Sequence, residues 1–287
     1  MDDARRSAVL NTYRHLRLAM IVLVVVLGAA VLLQRRDAGC WQTSVSAYYF
    51  TSVHGVFIAA LCAIGACLIV YKGSSDTEDA VLNLSGFLAF IVAMVPTTRE
   101  TICGGPSIPA AYDVSPGVGN NVAAVLLTGV VAEGVRLGLA YKANPEQSLS
   151  GQAKVSLGVG WLIIVAGTVA FGFDRKQFLA HGHTVAAVTM FAGIVLVIVI
   201  NALSAGKRDD AKLFVQLYRA VATIMGLALA VIVVIRLNVP GWEHVVIYVE
   251  VLLIAAFAVF WGIQTRELWG VVDRRELLQG KADPTGK

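Results

Sequence analysis

Eight side chains in this sequence could build one polar pocket: Ser44, Ser46 and Tyr48 in a short polar stretch, His54 soon after it, Asp174, His181 and His183 close together, and Glu250 inside an apolar run. Imidazoles and carboxylates can hold a metal ion, relay a proton or hydrogen-bond a ligand's polar head. Glu250 stands out because Val, Leu and Ile flank it, so its carboxylate needs a partner, and His54, His181 or His183 is the expected one. A metal set is a harder fit. His181 and His183 are two apart and therefore point to different faces of a helix, and they converge only if they lie in a turn before it.

The elements that must position these groups are membrane helices. The chain is 57% hydrophobic and only 15% charged, with a mean hydropathy of +0.73, and a soluble core cannot hide that much apolar surface. Long unalternating runs, such as 21–33 and 185–200, exclude barrel strands and predict helices, whose backbone polar groups are satisfied internally. Eight spans are predicted, roughly 18–33, 54–71, 81–96, 122–141, 155–173, 180–203, 213–237 and 244–264. They form one transmembrane domain over 1–270, followed by a short charged tail over 271–287. The first run is too long for a cleaved leader and has no small-residue cleavage site before Arg35-Arg36, so it is expected to stay.

Lys and Arg set the orientation. Arg5, Arg6, Arg14 and Arg17 precede the first span, and the basic residues of that side outnumber those opposite, chiefly Arg35, Arg36, Arg99, Arg175 and Lys176, by more than two to one. Both termini are therefore predicted to be cytoplasmic, in a bacterial cytoplasmic membrane given the Ala/Val/Gly-rich helices. On that topology the candidate pocket faces outward. Cys40 and Cys103 fall in outward loops, where an oxidising environment predicts a disulfide, while Cys62 and Cys67 lie inside the second span as packing residues. The stretch 97–121, with Pro106, Pro109 and Pro116, reads as a lid over the outer surface. Glu133 and Arg136, three apart, are expected to pair.

Several chemistries have no residues to carry them. No Lys sits mid-span for a retinal Schiff base, and there is no P-loop, no nucleophile elbow and no dinucleotide fingerprint. The cysteine spacings make no zinc site, and no basic stripe interleaved with aromatics suggests nucleic acid. No cofactor is expected. Membrane lipids, and other membrane subunits, are the partners this composition suggests.

Short motifs add a resemblance. Trp41 with Ser44-Val-Ser-Ala, Tyr71-Lys72 closing a helix, Leu82-Asn-Leu-Ser-Gly86 opening the next, His181 and His183 with Ala186-Ala187 and Phe191, Tyr218-Arg219, and Glu250 leading to Ala-Ala-Phe257 resemble the damage-regulated autophagy modulators and their Frag and Sfk relatives. That family is drawn with about six helices, so spans 122–141 and 155–173 are extra. The resemblance implies a non-catalytic, lipid-associated membrane component, with a glutamate and a histidine recurring on the two helices concerned. Two other readings of the residues stand beside it. One is a metal-dependent lipid hydrolase, similar to the alkaline-ceramidase-like enzymes, using His54, His181 and His183 with Glu250 or Asp174. The other is a small-solute transporter.

Overall fold

The structure, a computed structural model, describes residues 3–97, 102–108, 116–143, 151–238, 243–272 and 274–279. These residues form helices α1 (Asp3–Ala38), α2 (His54–Val70), α3 (Asp76–Met94), α4 (Pro116–Ala143), α5 (Gly151–Phe173), α6 (Arg175–Ala205), α7 (Lys212–Asn238), α8 (Glu243–Glu267) and α9 (Arg274–Gln279). Two 3-10 turns, Ser46–Phe50 and Asp209–Ala211, precede α2 and α7, and no strand occurs among the described residues. Six helices, α1, α3, α4, α6, α7 and α8, are long and apolar enough to cross a membrane, which makes the chain an integral membrane protein. The apolar helices 54–70 and 157–173 are shorter.

Several helices begin earlier than hydropathy suggests, because capping residues and not apolar residues set the start. Ser75 accepts from the Glu78 N–H at 3.2 Å, so α3 begins at Asp76, ahead of the expected 81. Asp174 accepts from the Gln177 N–H at 2.9 Å, so α6 begins at Arg175, ahead of the expected 180. His181 and His183 are therefore helical, and the turn that would have let them converge is absent. Of the expected lid, 98–101 and 109–115 lie outside the described residues, and 116–121 belong to the start of α4.

The helices close a ring in the order α1, α2, α3, α6, α7, α8 and back to α1, each antiparallel to its neighbours. The hairpin α4–α5 stands outside this ring, leaning on α3 and more lightly on α6. Both ends of the described chain meet at one end of the ring, here the base. Arg6 bridges to Glu276 at 2.7 Å, and Arg14 donates to the Trp269 carbonyl at 2.8 Å through Nε. The opposite, upper end carries the turn between α1 and α2.

Small residues let the ring helices touch. A Cβ added at Gly65 would stand 2.7 Å from the Gly86 carbonyl, and one added at Gly86 would stand 2.6 Å from the Gly65 carbonyl, so α2 and α3 cross backbone to backbone. At the α3–α6 crossing, a Cβ on Gly193 would overlap the Ser85 hydroxyl. Gly86→Leu is therefore expected to cost about 1–3 kcal/mol or more, read as a lower melting temperature in detergent. Gly28→Leu is the control, because nothing lies within 4 Å of a Cβ there. Equal melting of the two variants would refute the close crossing.

Candidate functional site

The upper end is organised by the segment 40–50. Cys40 and Cys103 form a disulfide with their Cα atoms 6.3 Å apart, as expected from the sequence. Beside it, Gln42 donates to the Cys103 carbonyl at 2.9 Å and accepts from the Cys103 N–H at 3.1 Å. The aromatic residues that follow do not face water: Tyr48, Tyr49 and Phe50 pack with Leu27, Val53 and Phe57 and close the ring from above. Burial pushes the Tyr48 phenol pKa up.

The same segment supplies what Glu250 needs. The Ile247 N–H, one turn into α8, donates to the Thr43 carbonyl at 3.1 Å and fixes the segment against the upper part of the helix. One helical turn on, the Val45 N–H donates to Glu250 Oε2 at 2.6 Å and the Ser46 hydroxyl donates to Oε1 at 3.4 Å. Ser44 supports this arrangement, since its hydroxyl accepts from the Ala47 N–H at 3.0 Å and lies 3.3 Å from that of Ser46. The sequence pointed to histidine as the partner of Glu250. A backbone amide and the Ser46 hydroxyl meet the carboxylate at the cavity that His183 also lines, and backbone amides carry no residue signature.

Below Glu250 lies a cavity of about 80 Å³ on the ring axis. Its polar end is Ser46, His183 and Glu250, and the rest is apolar, with Leu27, Phe57, Met190, Ile254 and Phe257. His183 is buried, and its Nδ1 donates to the Val95 carbonyl at 2.7 Å; a carbonyl can only accept, so this nitrogen carries the proton. A smaller space of about 40 Å³ also touches Ser46, His183 and Glu250, reaching Leu229 and Ile232 of α7.

The remaining candidates stand elsewhere. His54 Nδ1 donates to the Tyr49 carbonyl at 2.7 Å and its ring meets that of Tyr49 edge-on, so it fastens the start of α2 to the segment above. His181 is exposed and, with Asp174, lines a groove outside the ring. Two residues of helix turn the backbone by roughly 200°, which sends His183 inward and His181 outward. Among the described residues no group of three His, Cys, Asp or Glu side chains could hold a metal ion. The side chains of His244 and Arg136, and residues Arg99 and Glu100, lie outside the described residues.

The base holds a second polar constellation that was not legible beforehand. Arg274, fully buried, donates to Glu267 Oε1 at 3.1 Å through Nε and to Asn201 Oδ1 at 2.7 Å through Nη1, while its Nη2 pairs with Glu267 Oε2. Tyr218 donates to the same Glu267 oxygen at 2.6 Å, Gln264 donates to Asn201 at 2.9 Å, and Asn201 donates to Glu78 at 2.7 Å. Arg17, also fully buried, reaches the Gln264 carbonyl in the last turn of α8 and that of Leu268 just after it. Burial disfavours charge on Arg274, yet Glu267 beside it raises the guanidinium pKa above its ordinary value. The residues expected as a charged tail thus begin, at 274, inside the bundle. The usable signal was the pair of lone amides, Asn201 and Gln264, in otherwise apolar helix faces.

No family model, curated protein or solved structure matches this chain. The chemistry of its two polar ends therefore rests on their own residues. At the base Glu267 is held by Arg274 and Tyr218, Glu78 by Asn201 and the Ser74 N–H, and Arg17 by backbone carbonyls, a densely bonded network that suits a fixed closure. The upper cavity differs: three polar groups from three elements meet at the end of an apolar space, an arrangement that can seat an amphipathic molecule.

Proposed function

We propose that this chain is a non-catalytic, lipid-associated protein of a bacterial cytoplasmic membrane, with eight spans, cytoplasmic termini and an outward-facing cavity that takes the apolar part of a lipid-like ligand below Ser46, His183 and Glu250. The observation that carries this reading is the ring cavity itself, apolar throughout except at the end where those three side chains converge. Its small volume suits one chain end or a compact tail, with the headgroup at Glu250. Orientation is supported twice: basic residues concentrate at the base, and the Cys40–Cys103 disulfide belongs to an oxidising compartment. The arrangement of six helices in a ring with α4–α5 outside it is consistent with the resemblance to the six-helix family of autophagy modulators and Frag and Sfk relatives.

A photoactivatable long-chain alcohol, crosslinked to the purified chain and mapped by peptide mass spectrometry, tests the cavity. Label is expected on α8 near Ile254 and on α6 near Met190, lost on Ile254→Trp, which fills the space. Label confined to the outer faces of the helices in both proteins would sink the reading. Glu250→Gln can accept from the Val45 N–H through its amide oxygen and donate its NH2 to the Ser46 oxygen, so it should fold and label, whereas Glu250→Leu strands the Val45 N–H at about 1–3 kcal/mol and should melt lower. A reporter at Lys287 active only on the far side of the membrane would overturn the orientation.

A further inference from the structure

The α4–α5 hairpin does not pack flush against the ring. Between it and helices α3 and α6 runs a groove of about 600 Å³, several times the ring cavity and within the roughly 300–1,000 Å³ of ligand pockets. We infer that this groove binds one diacyl phospholipid of the upper leaflet, its acyl chain lying along α3 and its phosphate held by Arg175 and Lys176.

The shape and lining select a hydrocarbon chain. Phe87 and Ile91 of α3 and Phe178 of α6 form apolar walls, while Gly167 and Ala170 of α5 and Gly182 of α6 leave the width open. The groove continues along α3 into a second space of about 350 Å³ nearer the base, and the two share Leu84, Phe87 and Ile163. Around it, Phe173 is 90% exposed and Val185 62%, surfaces that a membrane-embedded chain turns to lipid, so the occupant arrives sideways from the bilayer.

The upper end of the groove selects a phosphate. The Arg175 guanidinium spans from the start of α6 to the start of α4: it lies against Gly119, where any Cβ would collide with it, and 5.4 Å from the Phe171 ring centroid. Arg175 and Lys176 stand in the chain between Asp174 and Gln177, which line the upper end of the groove, so the two cations lie beside its mouth. Asp174 is engaged by the Gln177 N–H at 2.9 Å, and among the described residues no carboxylate forms an ion pair with Arg175 or Lys176. Arginine meets phosphate with two parallel hydrogen bonds, a geometry suited to a headgroup at the interface.

The groove shares no lining residue with the ring cavity, so this site and the proposed ring ligand stand or fall separately. The full chain, purified and stripped of lipid in detergent, is offered phosphatidylglycerol or the diacylglycerol with the same chains, and bound lipid is counted by native mass spectrometry. One phosphatidylglycerol per chain is expected, with little diacylglycerol. Ala170→Trp, on an exposed face of α5, and the double variant Arg175→Ala/Lys176→Ala should each lower retention at least tenfold, while Gly28→Leu, where a Cβ meets nothing within 4 Å, should not. No retained phospholipid, retention unchanged in both variants, or equal retention of diacylglycerol would overturn the site.

Discussion

Arg274→Ala is expected to destabilise the detergent-solubilised protein by about 3–5 kcal/mol, the largest effect of any single substitution at the base. The guanidinium is fully buried and is shared by Glu267 of α8 and Asn201 of α6, with the Tyr218 hydroxyl of α7 at 3.5 Å. Its removal leaves the Glu267 carboxylate, 1% exposed at its side chain, facing Tyr218 with only the more distant Arg208 at 3.6 Å for a cation. Arg274→Lys should fall between, because a lysine cannot reach Glu267 and Asn201 together with a planar fork. The double variant Glu267→Gln/Arg274→Met should recover much of the loss, since removing both charges together strands neither. Thermal melts of the four proteins decide it. Parental melting in Arg274→Ala would mean that the network is decoration.

Loss of the Cys40–Cys103 bond should have an effect of similar size for a different reason. The bond closes a loop with a sequence separation of 63, for which the chain-entropy account gives about 4 kcal/mol. It also fixes the partner of Gln42, and through the segment 42–46 the amide and hydroxyl that meet Glu250. Cys40→Ser/Cys103→Ser is therefore expected both to melt lower and to weaken long-chain alcohol labelling of the ring cavity. Mass spectrometry of non-reduced peptides should show the pair joined and Cys62 and Cys67 free. Free thiols at Cys40 and Cys103 in fresh protein would refute the link, and unaltered labelling in the double serine variant would separate the disulfide from the site.

Composition and run length alone determine that this chain is helical and lives in a membrane, because hydrocarbon leaves helices and closed barrels as the only spanning forms and these runs do not alternate. The Cys40–Cys103 pair was legible as well, since reach and compartment both follow from where the loops fall. Helix starts were less so: Ser75 and Asp174 set them through single hydrogen bonds that hydropathy does not register. Of the eight pocket residues, only Ser46, His183 and Glu250 share the ring cavity, with Ser44 behind them, because the facing of a helix is fixed by its neighbours once the ring closes. The amide of residue 45 could not be read at all as a partner of Glu250, being backbone brought 205 positions along the chain. The same holds for Arg274, a charge that looks solvated in sequence and is buried only because α6, α7 and α8 bring Asn201, Tyr218 and Glu267 to one point. Local chemistry decides which segments enter the membrane. Only the closing of six helices into a ring decides which polar groups meet there, since those meetings join residues far apart in the chain.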